Sequence, residues 1–261
     1  MSPLEIVYQD DSLAVIKKPP GLLVHRSPID RHETRFAVQL LRRQIGQRVW
    51  PAHRLDKPTS GLLVFALSAE IARDLSIQFA EREVGKRYLA LLRGFCPLSL
   101  NIDHPVRVPG DDYAATQGGR TTTQLPARTN LRRLARVELP ARVDRYPSSR
   151  YSLAELFPTT GRRHQLRRHM KHISHPILGD ANYGKGSHNR FFQQQLGCHR
   201  LMLACTGLAF RHPVTGDDIS LQGSPGSDFL RLAKLLPWQW DAPDSPTGYM
   251  DPATALPLHG F

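Results

Sequence analysis

The sequence predicts one main domain that combines helices with strands. A length of 261 residues is large for one domain and small for two, and a hydrophobic content of 40% is enough for a sizeable core. Some segments alternate apolar and polar residues with the period of two that is typical of strands, whereas others repeat apolar residues at the three- and four-residue spacing of helices. Both element types are therefore expected within the same domain.

The N-terminal segment predicts a hairpin followed by a helix. Residues 5–8 and 13–16 are short apolar runs on either side of a polar turn, which is the pattern of two paired strands. After a proline-rich break, residues 36–45 carry a helical apolar stripe that ends at Gly46. Arg42 and Arg43 lie off this stripe, and we expect them to face solvent.

The next segment predicts a strand, a helix and a second strand. The apolar run 62–67 predicts a buried strand. Ser68 can cap a helix that presents Ile71, Leu75 and Phe79 on one face, lies over this strand and ends at Gly85. Residues 86–94 predict another buried strand, with Tyr88 near its start.

The second half of the chain predicts further strands and three irregular segments. Residues 131–139, 150–157, 201–210 and 219–221 have strand patterns, and the alternation in 150–157 predicts one face on the core. Residues 105–130 are rich in Gly, Thr and Asp and predict a long exposed excursion. Residues 185–200 predict a basic loop, and the prolines from Pro237 onward predict an irregular tail over 237–261.

The positive charge of the chain is concentrated in one region. Lys and Arg outnumber Asp and Glu by 35 to 23, which gives a formal net charge of +12. Residues 120–172 hold thirteen Lys and Arg but only three acidic residues, so most of the excess lies there. Such a balance is typical of proteins that bind a polyanion, either nucleic acid or an anionic membrane surface. The alternative, a cationic surface that serves solubility alone, is disfavoured by the concentration of charge.

Cysteine usage and the chain start indicate a soluble cytoplasmic protein. Cys96, Cys198 and Cys205 are widely spaced and form no CxxC pair, which argues against a disulfide framework and against a zinc site. The first residues lack the basic and apolar regions of a signal peptide, and no apolar run is long enough to span a membrane. We therefore expect no association with a membrane.

The most informative stretch is HRLDKPTSG at 53–61, which precedes the buried strand at 62–67. It places Asp56 between Arg54 and Lys57 on a turn that Pro58 and Gly61 mark. Nearby cations, either these two or another arginine supplied by the fold, favour the ionised form of the carboxyl group and make Asp56 a candidate nucleophile. Taken alone, an Asp in such a turn is more often a solvated surface group.

Three motifs resemble those of one enzyme family. The string HRLDKPTSG is similar to the catalytic H-R-L-D-x-x-T-S-G motif of the RluA-type pseudouridine synthases. The segment TTGRRHQLRRHM at 159–170 resembles the T-G-R-x-H-Q-[IL]-R-x-H motif of that family, and 175–184 resembles its H-P-[IL]-x-G-D-x-x-Y-G motif. The resemblance covers about residues 4–236, with the motifs in the order of the family, and implies a catalytic domain with these bounds.

The resemblance assigns roles to individual residues. It implies that Asp56 attacks the ribose of the target uridine, that Tyr88 is catalytic and both stacks on the base and assists removal of its C5 proton, and that Arg162 forms a salt bridge with Asp56. Arg167 is the second candidate for that salt bridge, and Leu166 is expected to be an apolar wall for the base. The residues expected to bind RNA are His53, Arg54, Arg163, Arg167, Arg168 and Lys171. Asp180 is expected to be a hydrogen-bonding group that braces the site.

The resemblance also implies the fold and the reaction. The fold is expected to be α+β, with a mixed, mostly antiparallel sheet, flanking helices and a central basic cleft. The reaction is the isomerisation of a flipped-out uridine to pseudouridine, which needs no cofactor and no metal. The compact chain looks most like the family members that modify tRNA, at the uridine of position 65, and a monomer is expected. The expected mechanism leaves open whether Asp56 attacks directly or after the uracil has departed.

Three alternatives remain at this point. The chain could be a pseudouridine synthase that acts on 23S ribosomal RNA, or a catalytically silent RNA-binding protein on the same scaffold. The third alternative is a metal-dependent RNA hydrolase that uses His164, His169, His172 and His175. This alternative is disfavoured because no carboxylate or thiolate accompanies the histidines at a usual ligand spacing.

Overall fold

The computed structural model describes residues 3–26, 32–109 and 122–241. It contains five helices within these ranges, namely α1 (Ala37–Ile45), α2 (Ala69–Glu81), α3 (Gln165–His172), α4 (Gly186–Leu196) and α5 (Ser227–Leu235). The first strands are β1 (Glu5–Gln9), β2 (Leu13–Lys18), β3 (Trp50–Pro51), β4 (Ser60–Ala66), β5 (Gly85–Arg93) and β6 (Ser99–Asp103). They are followed by β7 (Val106–Pro109), β8 (Thr122–Leu125), β9 (Arg128–Leu139), β10 (Ser149–Pro158), β11 (Leu203–Arg211), β12 (Asp218–Gln222) and β13 (Gln239–Trp240).

Eleven of the strands form one sheet, which confirms the predicted α+β fold with a mixed, mostly antiparallel sheet. The central strand order is β1-β2-β4-β11-β5-β10-β9-β13, with β3, β6 and β12 added at the sides. Only the pairing between β4 and β11 is parallel among the described strands. The strands β2, β4, β5 and β11 are almost fully buried because apolar side chains cover both faces. The core therefore lies along the middle of the sheet, where the 53–61 segment enters it.

Local signals in the sequence explain several element boundaries. The side chain of Ser68 accepts a hydrogen bond from the Ile71 amide and caps α2, as predicted. Gly46 adopts a left-handed conformation and ends α1, also as predicted. The helix α2 stops at Glu81, before the predicted end at Gly85, because Arg82 takes the left-handed conformation and Gly85 already belongs to β5.

Other segments differ from the sequence-based expectations. Within 105–130, β7 and β8 pair as a two-stranded sheet and β9 starts at Arg128, while 110–121 lies outside the described residues. The strand β10 is almost fully buried, where the sequence predicted one face on the core, and its Tyr151 packs against His188 and Phe192 of α4. Residues 186–196 form a helix instead of a basic loop, and its Phe192 is in the core. The pair Gln239–Trp240 joins the sheet, whereas 242–261 lies outside the described residues.

The described part of the chain offers no helix with the length and apolar character that crossing a bilayer requires. The helix α5 was not predicted, and it packs Phe229 and Leu232 into the core.

Candidate active site

The candidate nucleophile Asp56 lies in a turn that leads into β4. The amide of Thr59 donates to the Asp56 carbonyl at 3.0 Å, which closes the turn. The neighbouring Lys57 carbonyl accepts a hydrogen bond from the Gly21 amide at 2.8 Å, so the turn is also held by the segment after β2. These backbone bonds fix the position of Asp56, whose side chain is 24% exposed.

A buried lysine ties the same turn to the end of β2. The ammonium of Lys18 donates to the carbonyls of Pro19 at 3.0 Å, Leu22 at 2.8 Å and Lys57 at 3.2 Å. Burial lowers the pKa of Lys18 to about 7, although the nearby Asp56 carboxylate opposes this shift. The sequence analysis did not single out Lys18 as a site residue. A lysine that ends an otherwise buried strand, just before a proline-rich turn, is the signal that could have found it.

The arginine that contacts Asp56 is Arg167. Its Nη1 lies 3.3 Å from Oδ2 of Asp56, while Nε and Nη2 donate to the two carboxylate oxygens of Asp180 at 2.7 and 2.8 Å. The guanidinium is thus held in place by Asp180 and contacts one carboxylate oxygen of Asp56. Burial alone would raise the pKa of Asp180, but hydrogen bonds from Arg167 and from two backbone amides lower it below its usual value.

Two predictions about these arginines need correction. The salt bridge to Asp56 was predicted for Arg162, but Arg162 precedes α3 and its Nε donates to the Pro126 carbonyl at 3.2 Å. Arg167 was also predicted to bind RNA, but it is only 4% exposed and both of its ion pairs are internal. The reason is the helix itself, because the first turn of α3 directs Arg167 toward the core while Arg162 stays at the edge. The predicted hydrogen-bonding role of Asp180 agrees with its contacts.

His164 is a second polar neighbour of Asp56 that the sequence analysis considered only as a metal ligand. Its Nε2 lies 3.8 Å from Oδ1 of Asp56, and its Nδ1 lies 3.0 Å from the hydroxyl of Tyr183. Burial lowers the pKa of His164, although Asp56 opposes this, so the ring is neutral at pH 7. The carboxylate favours the single ring proton on Nε2, which leaves Nδ1 to accept the hydroxyl proton of Tyr183.

Tyr183 links this pair to the cationic helix α3. Its hydroxyl accepts a hydrogen bond from Nε of Arg168 at 3.0 Å, and its ring packs against the guanidinium groups of Arg167 and Arg168. Polar contacts therefore lead from Arg168 through Tyr183 and His164 to Asp56. They connect a surface cation to the candidate nucleophile.

A cavity of about 530 Å³ opens beside Asp56. Tyr88 and Leu166, both predicted to face the base, line it together with Asp56, and Arg54 and Arg162 lie at its polar side. Burial and the nearby Cys205 thiol raise the pKa of Tyr88 well above its usual value, so its phenol stays protonated. The volume falls in the range of small-molecule sites and is sufficient for one nucleotide base with its ribose.

His53, which was predicted to bind RNA, has an internal role in the structure. Its Nε2 accepts a hydrogen bond from the Val64 amide at 3.2 Å, and its ring stacks on Phe79 with centroids 4.6 Å apart. Burial lowers the pKa of His53 to about 3, so the ring is neutral and cannot pair with a phosphate as a cation. The structure therefore places His53 as a brace between the catalytic turn, β4 and α2.

The other residues predicted to bind RNA lie on the surface. Arg54, Arg163 and Lys171 are exposed, and Arg168 is half-buried. Arg163, Arg168 and Lys171 flank the start and middle of α3, beyond the cavity that Arg54 borders. This arrangement gives the cavity a cationic surround, in agreement with the predicted basic cleft.

The four histidines considered as a metal cluster have separate partners. His169 contacts the hydroxyl of Thr129 and the carbonyl of His104, both at 2.9 Å, and His175 contacts the Arg93 carbonyl at 2.9 Å. Within the described residues, no three His, Cys, Asp or Glu side chains are grouped as metal ligands. The geometry instead provides a fixed carboxylate at the wall of a cavity, with an arginine and a neutral histidine beside it. This set suits nucleophilic attack on an electrophilic carbon.

Comparison with known proteins finds relatives over most of the chain. The sequence profile of a family described as RNA pseudouridylate synthase matches residues 12–172. The tRNA pseudouridine synthase C of Pasteurella multocida (strain Pm70) is 48% identical over 235 residues, which cover 90% of this chain and 97% of that protein. The protein of the same name from Haemophilus influenzae (strain ATCC 51907 / DSM 11121 / KW20 / Rd) is 45% identical over 236 residues, with coverage of 90% and 99%.

Two solved structures have a similar fold. Human RNA Pseudouridylate Synthase Domain Containing 1 has a TM-score of 0.62 and 28% sequence identity, over 85% of this chain and 86% of that chain. Human RNA Pseudouridylate Synthase Domain Containing 4 has a TM-score of 0.66 and 25% identity, over 90% and 94% of the two chains.

Proposed function

Since this chain belongs to the RNA pseudouridylate synthase family, and is thus an isomerase that acts on RNA, we propose that it converts a uridine of tRNA to pseudouridine with Asp56 as the nucleophile. The tRNA substrate is supported by the names of relatives that align with 90% of the chain at 43–48% identity. We propose the uridine at position 65 as the target, on the resemblance of the motifs described above.

The main support for this proposal is the position of the Asp56 carboxylate at the wall of the 530 Å³ cavity. Arg167 contacts one of its oxygens and His164 faces the other. An ionised carboxylate in a fixed orientation is a competent nucleophile toward C1′ of the ribose. Attack forms an ester bond between Asp56 and C1′, and the glycosidic bond between C1′ and N1 breaks. The uracil rotates, and C5 bonds to C1′ and displaces the carboxylate. C5 then loses its proton, while N1 gains one. Attack before or after departure of the uracil gives the same product.

The surrounding residues have distinct roles in this proposal. The target uridine must leave its paired stack, which costs a few kcal/mol. The exposed Arg54 at the cavity edge can occupy the vacated space in the RNA. Tyr88 and Leu166 hold the extruded base between them, and the protonated phenol of Tyr88 stacks without carrying charge. Arg162, at the cavity edge, contacts the RNA strand near the target nucleotide.

The reaction involves no net redox change and no group donor. We therefore propose that it proceeds without metal or cofactor, and that the protein acts as a monomer in the cytoplasm where tRNA is modified. A metal-dependent hydrolase would instead need a ligand set near Asp56.

The test compares wild-type protein with Asp56→Asn. The variant should bind tRNA with unchanged affinity because the side chains are isosteric, but it should form no pseudouridine. Site-resolved pseudouridine mapping of total RNA, with each protein supplied to cells that lack it, should show loss of one tRNA site. Normal product from Asp56→Asn would contradict the role of Asp56. Product found only in 23S ribosomal RNA would contradict the tRNA assignment.

A further inference from the structure

A second cavity of about 490 Å³ lies between α3 and the β7–β8 hairpin, outside the cavity around Asp56. Within the described residues its lining contains three permanent cations and two histidines but no carboxylate. The basic residues are Arg107, Arg168, Lys171, His104 and His172. The cavity is therefore a strongly positive site that the catalytic cavity does not include.

The walls of this cavity are fixed to each other. The carbonyl of His104 can only accept, so Nε2 of His169 carries the proton and donates to it at 2.9 Å, and Nδ1 accepts from the hydroxyl of Thr129 at 2.9 Å. The rings of His104 and His172 stack with centroids 3.6 Å apart and an angle of 12°. These contacts join the base of the hairpin to α3, so the cavity is a defined feature of the fold.

Among the described residues, no carboxylate pairs with the cations of this cavity. Arg107, Arg168 and Lys171 form no ion pair with a carboxylate in the part of the chain that the structure describes. Arg168 and Lys171 instead share the face of Tyr183, at 5.6 and 6.0 Å from the ring centroid. Like charges brought together without a counterion repel each other, and a bound anion would relieve this repulsion.

We propose that this second cavity binds a backbone phosphate of the RNA substrate, close to the nucleotide that enters the catalytic cavity. The inference rests on the proposed function and adds a contact outside the catalytic site. Guanidinium and ammonium groups that line one cavity suit a phosphodiester. Tyr183 forms the wall of this cavity and also contacts His164, which faces Asp56. The bound phosphate would therefore hold the strand in register with the nucleophile.

The first test measures tRNA binding against salt concentration for Arg107→Gln and Lys171→Gln. Each change removes one phosphate contact, so the magnitude of the slope of log K against log salt should fall by about 0.7 to 0.9. Affinity at low salt should fall about tenfold, and KM should rise while kcat changes little. Lys234→Gln is the matched control, because Lys234 is an exposed lysine outside both cavity linings. Slopes equal to that of the control would overturn the proposal.

The second test locates the phosphate. Each phosphate of the tRNA is replaced in turn by a neutral methylphosphonate, and binding is measured for wild-type protein and for the Arg107→Gln, Lys171→Gln double variant. Replacement of the phosphate at one or two positions should weaken binding by the wild-type protein and should have no effect on binding by the double variant. Equal penalties at all positions for both proteins would overturn the proposal.

Both tests measure RNA binding, whereas the test of the proposed function measures formation of pseudouridine. If tRNA incubated with the wild-type protein contains no pseudouridine, the proposed function is rejected. The salt dependence of binding would still show whether the second cavity binds a phosphate. Normal product formation with control-like slopes would reject only the phosphate site.

Discussion

At the scale of single residues, the charge environment of Asp56 comes from distant positions. The cations next to it in sequence point elsewhere, since Lys57 pairs with Glu33 at 2.7 Å and Arg54 is exposed. Arg167, 111 positions away in sequence, provides the contact instead, and Asp180 keeps its guanidinium in place. His164 completes the surroundings of the carboxylate through its link to Tyr183. The sequence left open whether Arg54, Lys57 or a more distant arginine would lie beside Asp56, and the structure places a distant arginine there.

This arrangement predicts different outcomes for Arg167→Gln and Arg162→Gln. Loss of Arg167 frees the Asp56 side chain and leaves the buried Asp180 without its cation, so kcat should fall about 100-fold. Removal of one partner of a buried ion pair also costs about 3 to 5 kcal/mol in the free energy of unfolding. Arg162→Gln should keep kcat within a few-fold and mainly raise KM for tRNA.

Single-turnover rates at saturating RNA and urea denaturation separate these effects. Both variants should be compared at a temperature where each is folded, as judged by circular dichroism. A large loss of kcat in Arg162→Gln, with normal kcat in Arg167→Gln, would show that Arg162 approaches Asp56 in the RNA complex.

At the scale of elements, the catalytic turn is held by the parallel pairing of β4 with β11. Ser60 and Gly61 pair with Ala204 and Cys205, next to the point where β11 also pairs with Tyr88 on β5. Gly61 has a φ of +111°, and a Cβ at this position would lie 2.1 Å from the Cys205 carbonyl oxygen. The two strands can approach this closely only because residue 61 has no side chain. The close approach brings the turn with Asp56 and the strand with Tyr88 to the same cavity.

Gly61→Ala should therefore be strongly destabilising. Gly216 provides a matched control, because its φ is +77° but a Cβ there would have no neighbour within 4 Å. Gly216→Ala should cost only the backbone strain of about 1 to 2 kcal/mol. Gly61→Ala should cost at least twice as much in urea denaturation and should lower kcat, because β4 must shift away from β11. Equal losses of stability in the two variants would show that the strands adjust without strain.

At the scale of the whole molecule, cations line both the cavity beside Asp56 and the second cavity next to α3. The region 120–172, where the sequence concentrates its charge, contains β9, β10 and α3. The hairpin of β7 and β8 adds Arg107 from outside that region. The cations Arg54 and Arg162 thus line the catalytic cavity, and Arg107, Arg168 and Lys171 line the second one.

The buried histidines predict that the folded state loses stability in mild acid. Burial lowers the pKa of His188 to about 4, with contributions from Arg93 and Lys185 that Asp144 opposes. The unfolded chain takes up this proton near pH 6.5, whereas the folded protein excludes it until about pH 4. The unfolded state therefore binds more protons between these values, and the free energy of unfolding should fall with decreasing pH by up to about 1.4 kcal/mol per pH unit.

Urea denaturation at several pH values between 7.5 and 4.5 measures this dependence. His188→Gln keeps a polar partner for the Tyr151 hydroxyl, which lies 2.9 Å from Nδ1 of His188, but cannot take up a proton. The variant should show a smaller pH slope than wild-type protein. The same slope in both proteins would exclude His188 as a source of the acid sensitivity.

The sequence by itself determined the local elements and marked the candidate nucleophile. Strand and helix patterns, the Ser68 cap and the Gly46 end of α1 depend on neighbours within a few residues, and all of them are present in the structure. The motifs also marked Asp56, Tyr88 and Leu166, which meet at one cavity. The helix at 186–196 was missed because its polar and basic residues suggested a loop, whereas packing of Phe192 into the core stabilises it.

Only the tertiary structure decided which arginine contacts Asp56 and which groups form the second cavity. Arg162 and Arg167 stand in the same motif, and nothing local distinguishes them. The left-handed conformation of His164, with φ of 56°, comes just before α3, and the first helical turn then directs Arg167 inward. Lys18 and Tyr183 reach their partners, and Arg107 reaches the second cavity, through strand pairing and helix packing across the chain. Such contacts depend on how distant segments are placed in space, which periodicity and spacing along the sequence do not encode.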